Sequence, residues 1–271
     1  MTINTDPSAA LTTLTRVGFA ARGLLYLVIA WLITTAGRIE DPSGALRYLS
    51  EGNGKYLVML MIAGFIAYGI WRLSDAALNL ERHPADRKGA GQRAGAAASG
   101  LIYLFLAWQA VRLLRGTGSG GGSGGGTQEG AQTALQLPGG TLLLYVAAAV
   151  LVGVGIMQLV NAWRCKFVEH LEPSVRNKDW VRWVGRGGYV ARGIVFLISG
   201  YFLFRAAQDS QASQAGGMQE ALAWLTSPWD LVVAVGLGLF GLFSLVEARY
   251  RVIHDVPVDQ MAHKARGNLP V

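Results

Sequence analysis

A chain of 271 residues with 52% hydrophobic and only 15% charged side chains is too poor in charge for an ordinary soluble domain, in which about 25% of residues are charged. Its net charge of +7 is of the sign that attracts phosphate. The basic residues, however, cluster between long uncharged stretches, as in membrane proteins that keep Lys and Arg on one side, so no nucleic-acid partner is expected. The single cysteine, Cys165, excludes an internal disulfide framework and a paired-cysteine metal or redox site.

In chain order, a tail over 1–14 carries Asp6 and no Lys or Arg, which is a poor beginning for a cleaved signal peptide. The apolar run 17–36 that follows is longer than a signal peptide's apolar core, and it has counterparts further on. Apolar periodicity predicts six helices, over 16–36, 56–79, 94–114, 141–163, 186–207 and 229–249. Each is long enough to cross a hydrocarbon layer about 30 Å thick at 1.5 Å per residue. The expected fold is all-α: a polytopic membrane protein with six transmembrane helices.

The helices fall into three copies of one hairpin, over 15–80, 92–165 and 185–251, followed by a tail over 252–271. Arg16-Val-Gly18-Phe-Ala-Ala-Arg22-Gly23 recurs as Arg93-Ala-Gly95-Ala-Ala-Ala-Ser99-Gly100 and as Arg186-Gly-Gly188-Tyr-Val-Ala-Arg192-Gly193. The closing halves align as well: Gly69-Ile-Trp71-Arg-Leu-Ser-Asp75, Gly155-Ile-Met-Gln-Leu-Val-Asn161 and Gly241-Leu-Phe-Ser-Leu-Val-Glu247. Between the halves, Gly44, Gly130 and Gly217 each open a short apolar segment predicted as a surface helix. Repeats in register at three landmarks define the architecture. The glycine-rich run 116–126 lengthens the second loop as a flexible tether.

Orientation follows from loop charge. Only Arg38, Arg47, Lys55, Arg112, Arg115 and Arg205 of the 24 Lys and Arg fall on the side away from the termini. Both termini are therefore expected in the cytoplasm, with the chain in the inner (plasma) membrane. The basic face is expected to draw anionic lipid.

With Ala21-Arg22-Gly23, Ala191-Arg192-Gly193, Gly44-Ala-Leu46 and Tyr68-Gly-Ile-Trp71-Arg72-Leu, the chain resembles the bacterial membrane proteins called domain of unknown function 1206, from about residue 15 to 251. The resemblance implies a multi-pass bacterial inner-membrane protein and no particular activity. The second unit departs from the pattern at Ser99 and Asn161.

Charged groups within spans need partners, since each costs about 2.5–3.5 kcal/mol at a helix centre. Arg22 and Asp75 enter from the same surface on the two helices of one hairpin and are expected to pair, as are Arg192 and Glu247. The second unit holds Ser99 and Asn161 instead, as though both charges were lost together. Such pairs would either pin hairpins together or line a polar path.

Other motifs carry less. Gly236-Leu-Gly238-Leu-Phe-Gly241 has dinucleotide-loop spacing without the preceding strand. Its glycines, with Ala63/Ala67 and Ala149/Gly153, are expected at close helix contacts. His83, His170, His254 and His263 are scattered in connections. Trp31, Trp71, Trp163, Trp224 and Trp229 are expected to anchor span ends. With no nucleophile-plus-base or metal set visible, no enzymatic activity and no cofactor is expected. The expected function is that of a non-catalytic membrane scaffold or interaction protein with partners unknown; the alternative is a small transporter or channel with threefold internal repeats.

Overall fold

The computed structural model describes residues 7–51, 54–79, 84, 86–116 and 125–252. Most of the glycine-rich tether, the last tail, His83, His254 and His263 lie outside the described residues. Ten α-helices occur among those described: α1 Pro7–Ala36, α2 Pro42–Glu51, α3 Lys55–Leu78, α4 Arg87–Leu114, α5 Gly125–Leu135, α6 Gly140–Arg164, α7 Pro173–Arg176, α8 Asp179–Gln208, α9 Met218–Trp224 and α10 Trp229–Tyr250. Six of them, α1, α3, α4, α6, α8 and α10, are long and apolar enough to cross a membrane. The short α2, α5 and α9 fill the three predicted surface positions. α1 begins at Pro7, earlier than the span expected from 16.

The helix ends follow local chemistry. Asp86 caps α4 by accepting from the Gly89 N–H at 2.7 Å, satisfying one of the donors left free in a first turn. At the far ends, α3 and α6 stop at Asn79 and Cys165, both left-handed at φ 55° and 51°. Asn79 donates its N–H to the Asp75 carbonyl, and Cys165 donates to Asn161. Arg251, the third-repeat counterpart of Asn79 and Cys165, caps α10 with its N–H on the Glu247 carbonyl.

The long helices pack in the order α4–α3–α1–α10–α8–α6. The strongest pairings join the second helix of each repeat to the first helix of the next: α3 with α4, α6 with α8, and, closing the cycle, α10 with α1. The same glycine pair sets each crossing. A methyl on Gly69 would sit 3.1 Å from the Gly100 carbonyl oxygen and one on Gly100 3.0 Å from that of Gly69; Gly155 and Gly193 repeat this at 3.0 and 3.1 Å, and Gly23 and Gly241 at 2.8 Å each way. Leucines flank each pair in the same pattern: Leu104 against Gly69, Leu197 against Gly155, and Leu27 against Gly241. Backbones approach this closely only where no Cβ intervenes.

Within hairpins the repeats diverge. α1 lies along α3, where Gly64 meets Ala21 and Gly18 meets Tyr68; α8 lies along α10, where Gly236 meets Ala191 and Gly188 meets Phe240. α4 and α6 do not pack along one another. Their glycines Gly95 and Gly153 face open space, and exposed Val150 stands where the other repeats have Gly64 and Gly236. The expectation of a close contact at Ala149/Gly153 is therefore corrected: both are exposed, because their partner helix has moved away. Ala63 is exposed too, whereas Ala67 is buried. The main core gathers side chains from α1, α3, α4, α8 and α10, while α6 packs with α5 and α8 in a separate cluster.

The packing predicts different outcomes for one substitution at two sites. Gly241→Ala forces its methyl onto the Gly23 carbonyl and should cost about 1–3 kcal/mol, seen as a lower thermal midpoint in detergent. Gly153→Ala meets nothing and should leave the midpoint unchanged or raise it by the equivalent of about 0.4–1 kcal/mol.

Candidate functional site

A buried polar cluster occupies the end of the bundle at which α1 starts and α10 finishes. It is centred on Arg22 and Glu247, 7% and 3% exposed. Arg22 stands one residue before Gly23, and Glu247 six residues after Gly241, so the α10–α1 glycine crossing brings them side by side. Arg22 Nη2 donates to Glu247 Oε2. Its Nη1 donates to the Tyr68 hydroxyl at 2.9 Å and its Nε to Ser244 Oγ at 3.1 Å. The Ser244 hydroxyl itself donates to the Phe240 carbonyl at 2.9 Å. Arg251 Nη1 donates to the other carboxylate oxygen of Glu247 at 2.7 Å. One carboxylate thus joins two guanidiniums.

Aromatic rings form the walls. The Arg22 guanidinium lies 4.5 Å from the centre of the Phe19 ring and 5.0 Å from that of Phe240. Arg251 lies 4.8 Å from Phe19 and 5.5 Å from Trp71. A cation that has surrendered water recovers part of the loss from ring faces. Trp71 therefore serves in the core at 3% exposure, which corrects its expected place as a span-end anchor. Trp31, Trp163, Trp224 and Trp229 are exposed as expected.

The structure corrects the expected pairings. Arg22 pairs with Glu247 rather than Asp75, and Glu247 with Arg22 and Arg251 rather than Arg192. The contacts run between repeats because the glycine crossings do. At equivalent register, Asp75 falls at the α3–α4 crossing with Ser99, and Asn161 at the α6–α8 crossing with Arg192. The two charges were therefore not lost together from one pair; each neutral residue of the second unit belongs to a different crossing. Asp75 is fully buried with Arg72 Nη1 at 3.7 Å. Arg192 stacks 4.3 Å from the centre of the Phe240 ring, with Phe196 at 5.1 Å and Tyr26 at 5.5 Å, and its buried Nε has no hydrogen-bond partner among the described residues. Ser99 and Asn161 are half-buried.

Sequence reasoning missed Tyr68, Ser244 and Arg251. Ser244 and Arg251 lie three residues before and four after Glu247, on its own helix face, so helical spacing alone points to them. No group of three or more residues able to hold a metal ion occurs among the described residues.

Six apolar spans in three tandem hairpins, tied by a buried ion cluster, define a polytopic α-helical membrane protein with cyclic internal repeats. Segments 17–79, 94–164 and 187–251 match the family described as Domain of Unknown Function (DUF1206), one match for each hairpin. The chain belongs to that family. It is 31% identical over 249 residues, 87% of this chain and 90% of the relative, to the uncharacterized protein YxxB of Bacillus subtilis (strain 168). No solved structure matches the chain.

The cluster predicts unequal costs. Glu247→Gln leaves the buried Arg22 and the half-buried Arg251 without their shared anion and should cost about 3–5 kcal/mol. Arg192→Met exchanges a ring-stacked cation for an apolar chain of similar length and should fall within about 1 kcal/mol of wild type. Unfolding in detergent, followed by circular dichroism, compares them directly.

Proposed function

We propose that this chain is a non-catalytic scaffold or interaction protein of the inner membrane, with both termini in the cytoplasm. The observation that carries the reading is the filled interior beyond the ion cluster. Past Arg22, the inner faces of α1, α3 and α10 are occupied by Leu25, Ile29, Leu32, Met61, Phe65 and Leu237, each at most 1% exposed. A permeation path needs polar side chains or water along its length. These residues offer neither, and the charges stop at one end.

A second reading has its own support. Ionisable groups within spans are the usual mark of an ion or proton route, and Glu247 between two guanidiniums is such a group. In a scaffold the cluster does something else. It fixes the third repeat to the first, so that a soft apolar bundle presents constant outer surfaces. The unequal surroundings of the three repeats suit that role, since α4 and α6 leave apolar faces to the bilayer that their counterparts bury.

Purified protein in liposomes should carry no proton, sodium or potassium current above that of protein-free vesicles. Flux that Arg22→Ala abolishes, with the variant still folded and inserted, would establish the transporter reading instead.

A further inference from the structure

Among the described residues, basic side chains also converge away from the ion cluster. Between the end of α6 and the start of α8, the chain folds through a short 3₁₀ turn at Lys166–His170 and then α7. This connection encloses an open cleft of about 630 Å³. Arg164, Arg176, Arg182 and Arg186 line it, with Trp163 and Trp183 among the other lining residues. Two acids, Glu169 and Asp179, also reach it, so four guanidiniums face two carboxylates.

The donors are prepared rather than spent. Arg186 is held in place, its Nε donating to Cys165 Sγ at 3.1 Å and its guanidinium 5.6 Å from the centre of the Trp183 ring. Arg164, Arg176 and Arg182 are exposed. Arginine presents its donors in a planar fork that matches phosphate oxygens. Depth comes from the tryptophans. Trp163 and Trp183, 84% and 69% exposed, lie at the ends of two apolar spans, where indole rings settle at headgroup level. A phosphate carried by a lipid arrives at that depth; one free in solution has no need of the indoles.

We infer that this cleft is a binding site for the phosphate headgroup of an anionic phospholipid, held by Arg164, Arg176, Arg182 and Arg186 between Trp163 and Trp183. The site stands whether the bundle is a scaffold or a transporter, and its test is separate from the flux measurement. It gives the diffuse attraction of a basic face for anionic lipid a definite place.

Cys165 also lines the cleft, and as the chain's single cysteine it reports on occupancy. The full chain is placed in nanodiscs of phosphatidylcholine alone or with phosphatidylglycerol, and the thiol is alkylated with a neutral reagent. Phosphatidylglycerol should slow alkylation several-fold, and inorganic phosphate added to the phosphatidylcholine discs should not. R176Q/R182Q, at two exposed positions, should erase the lipid effect; R164Q serves as a second variant should the double one fail to insert. Equal rates in the two lipids would overturn the proposal. Protection by inorganic phosphate alone would overturn it in favour of a soluble anion, and slowing that persists in the variants would overturn it in favour of general surface charge.

Discussion

A guanidinium inside an apolar layer takes its anion from whichever helix comes nearest, and in this protein nearness is set by glycine. Three crossings, Gly69 with Gly100, Gly155 with Gly193 and Gly241 with Gly23, bring backbones together until carbonyl oxygens occupy the space a methyl would need. Because each crossing joins one repeat to the next, the chain is tied in a cycle instead of into three separate hairpins. The first and third repeats, furthest apart along the chain, meet at α1 and α10. At that closing crossing lie Arg22 and Glu247. Glycine contacts gain only what packing gives, since lipid tails are as apolar as leucine. A buried ion pair adds a steep penalty for any arrangement in which one partner is absent. The glycines determine who meets; the charges make the meeting obligatory at one of the three places.

The three crossings share their backbone geometry and differ in their chemistry. The α10–α1 crossing holds an arginine and a glutamate. At the α3–α4 crossing an aspartate falls with a serine, and Asp75 has Arg72 from its own helix at 3.7 Å. At the α6–α8 crossing an arginine falls with an asparagine, and Arg192 is accommodated on the faces of Phe240, Phe196 and Tyr26. Each unmatched charge has found local compensation. The packing follows the same asymmetry: hairpins one and three keep their internal glycine contacts, whereas in the second Val150 replaces the glycine and α4 and α6 part. Threefold repetition built the frame, and divergence of the second unit opened one side of it.

Much of this was legible in the sequence because it is written in local signals. Span length, hydropathy and repeat register each depend on neighbouring residues, and the six long helices fall within a few residues of the expected bounds except where α1, α4 and α8 begin earlier. The pairing partners were not legible on the assumption that helices adjacent in a hairpin are the closest in space. A contrary signal was present: Gly23, Gly100 and Gly193 on first helices, and Gly69, Gly155 and Gly241 on second helices, recur in every copy. A glycine pair inside a single hairpin would not require the same positions in the unit whose helices part. Trp71 was misplaced for a related reason. Aromatic residues near span ends are anchors by default, and it is the folded surroundings, Arg251 with the Phe19 and Tyr68 rings, that give Trp71 a buried role.

The distribution of charge bears on what such a bundle does. A protein that moves ions must let its charged groups exchange partners as the ion passes, which calls for water or alternative donors close by. Glu247 instead has its two oxygens engaged by Arg22 and Arg251, and Arg22 also donates to Tyr68 and Ser244. Rings close over both cations, and packed leucine, isoleucine and phenylalanine lie beyond. To move, this cluster would have to break several hydrogen bonds at once in a low-dielectric setting, where each unpaired group is costly. Rigidity of that kind suits a part that holds a shape. Arg164, Arg176 and Arg182 in the α6–α8 cleft are exposed, and the lipid-phosphate site proposed above rests on them. On the proposed reading, recognition belongs to the rim of the molecule, and the buried ion pair to the frame that keeps the rim in place.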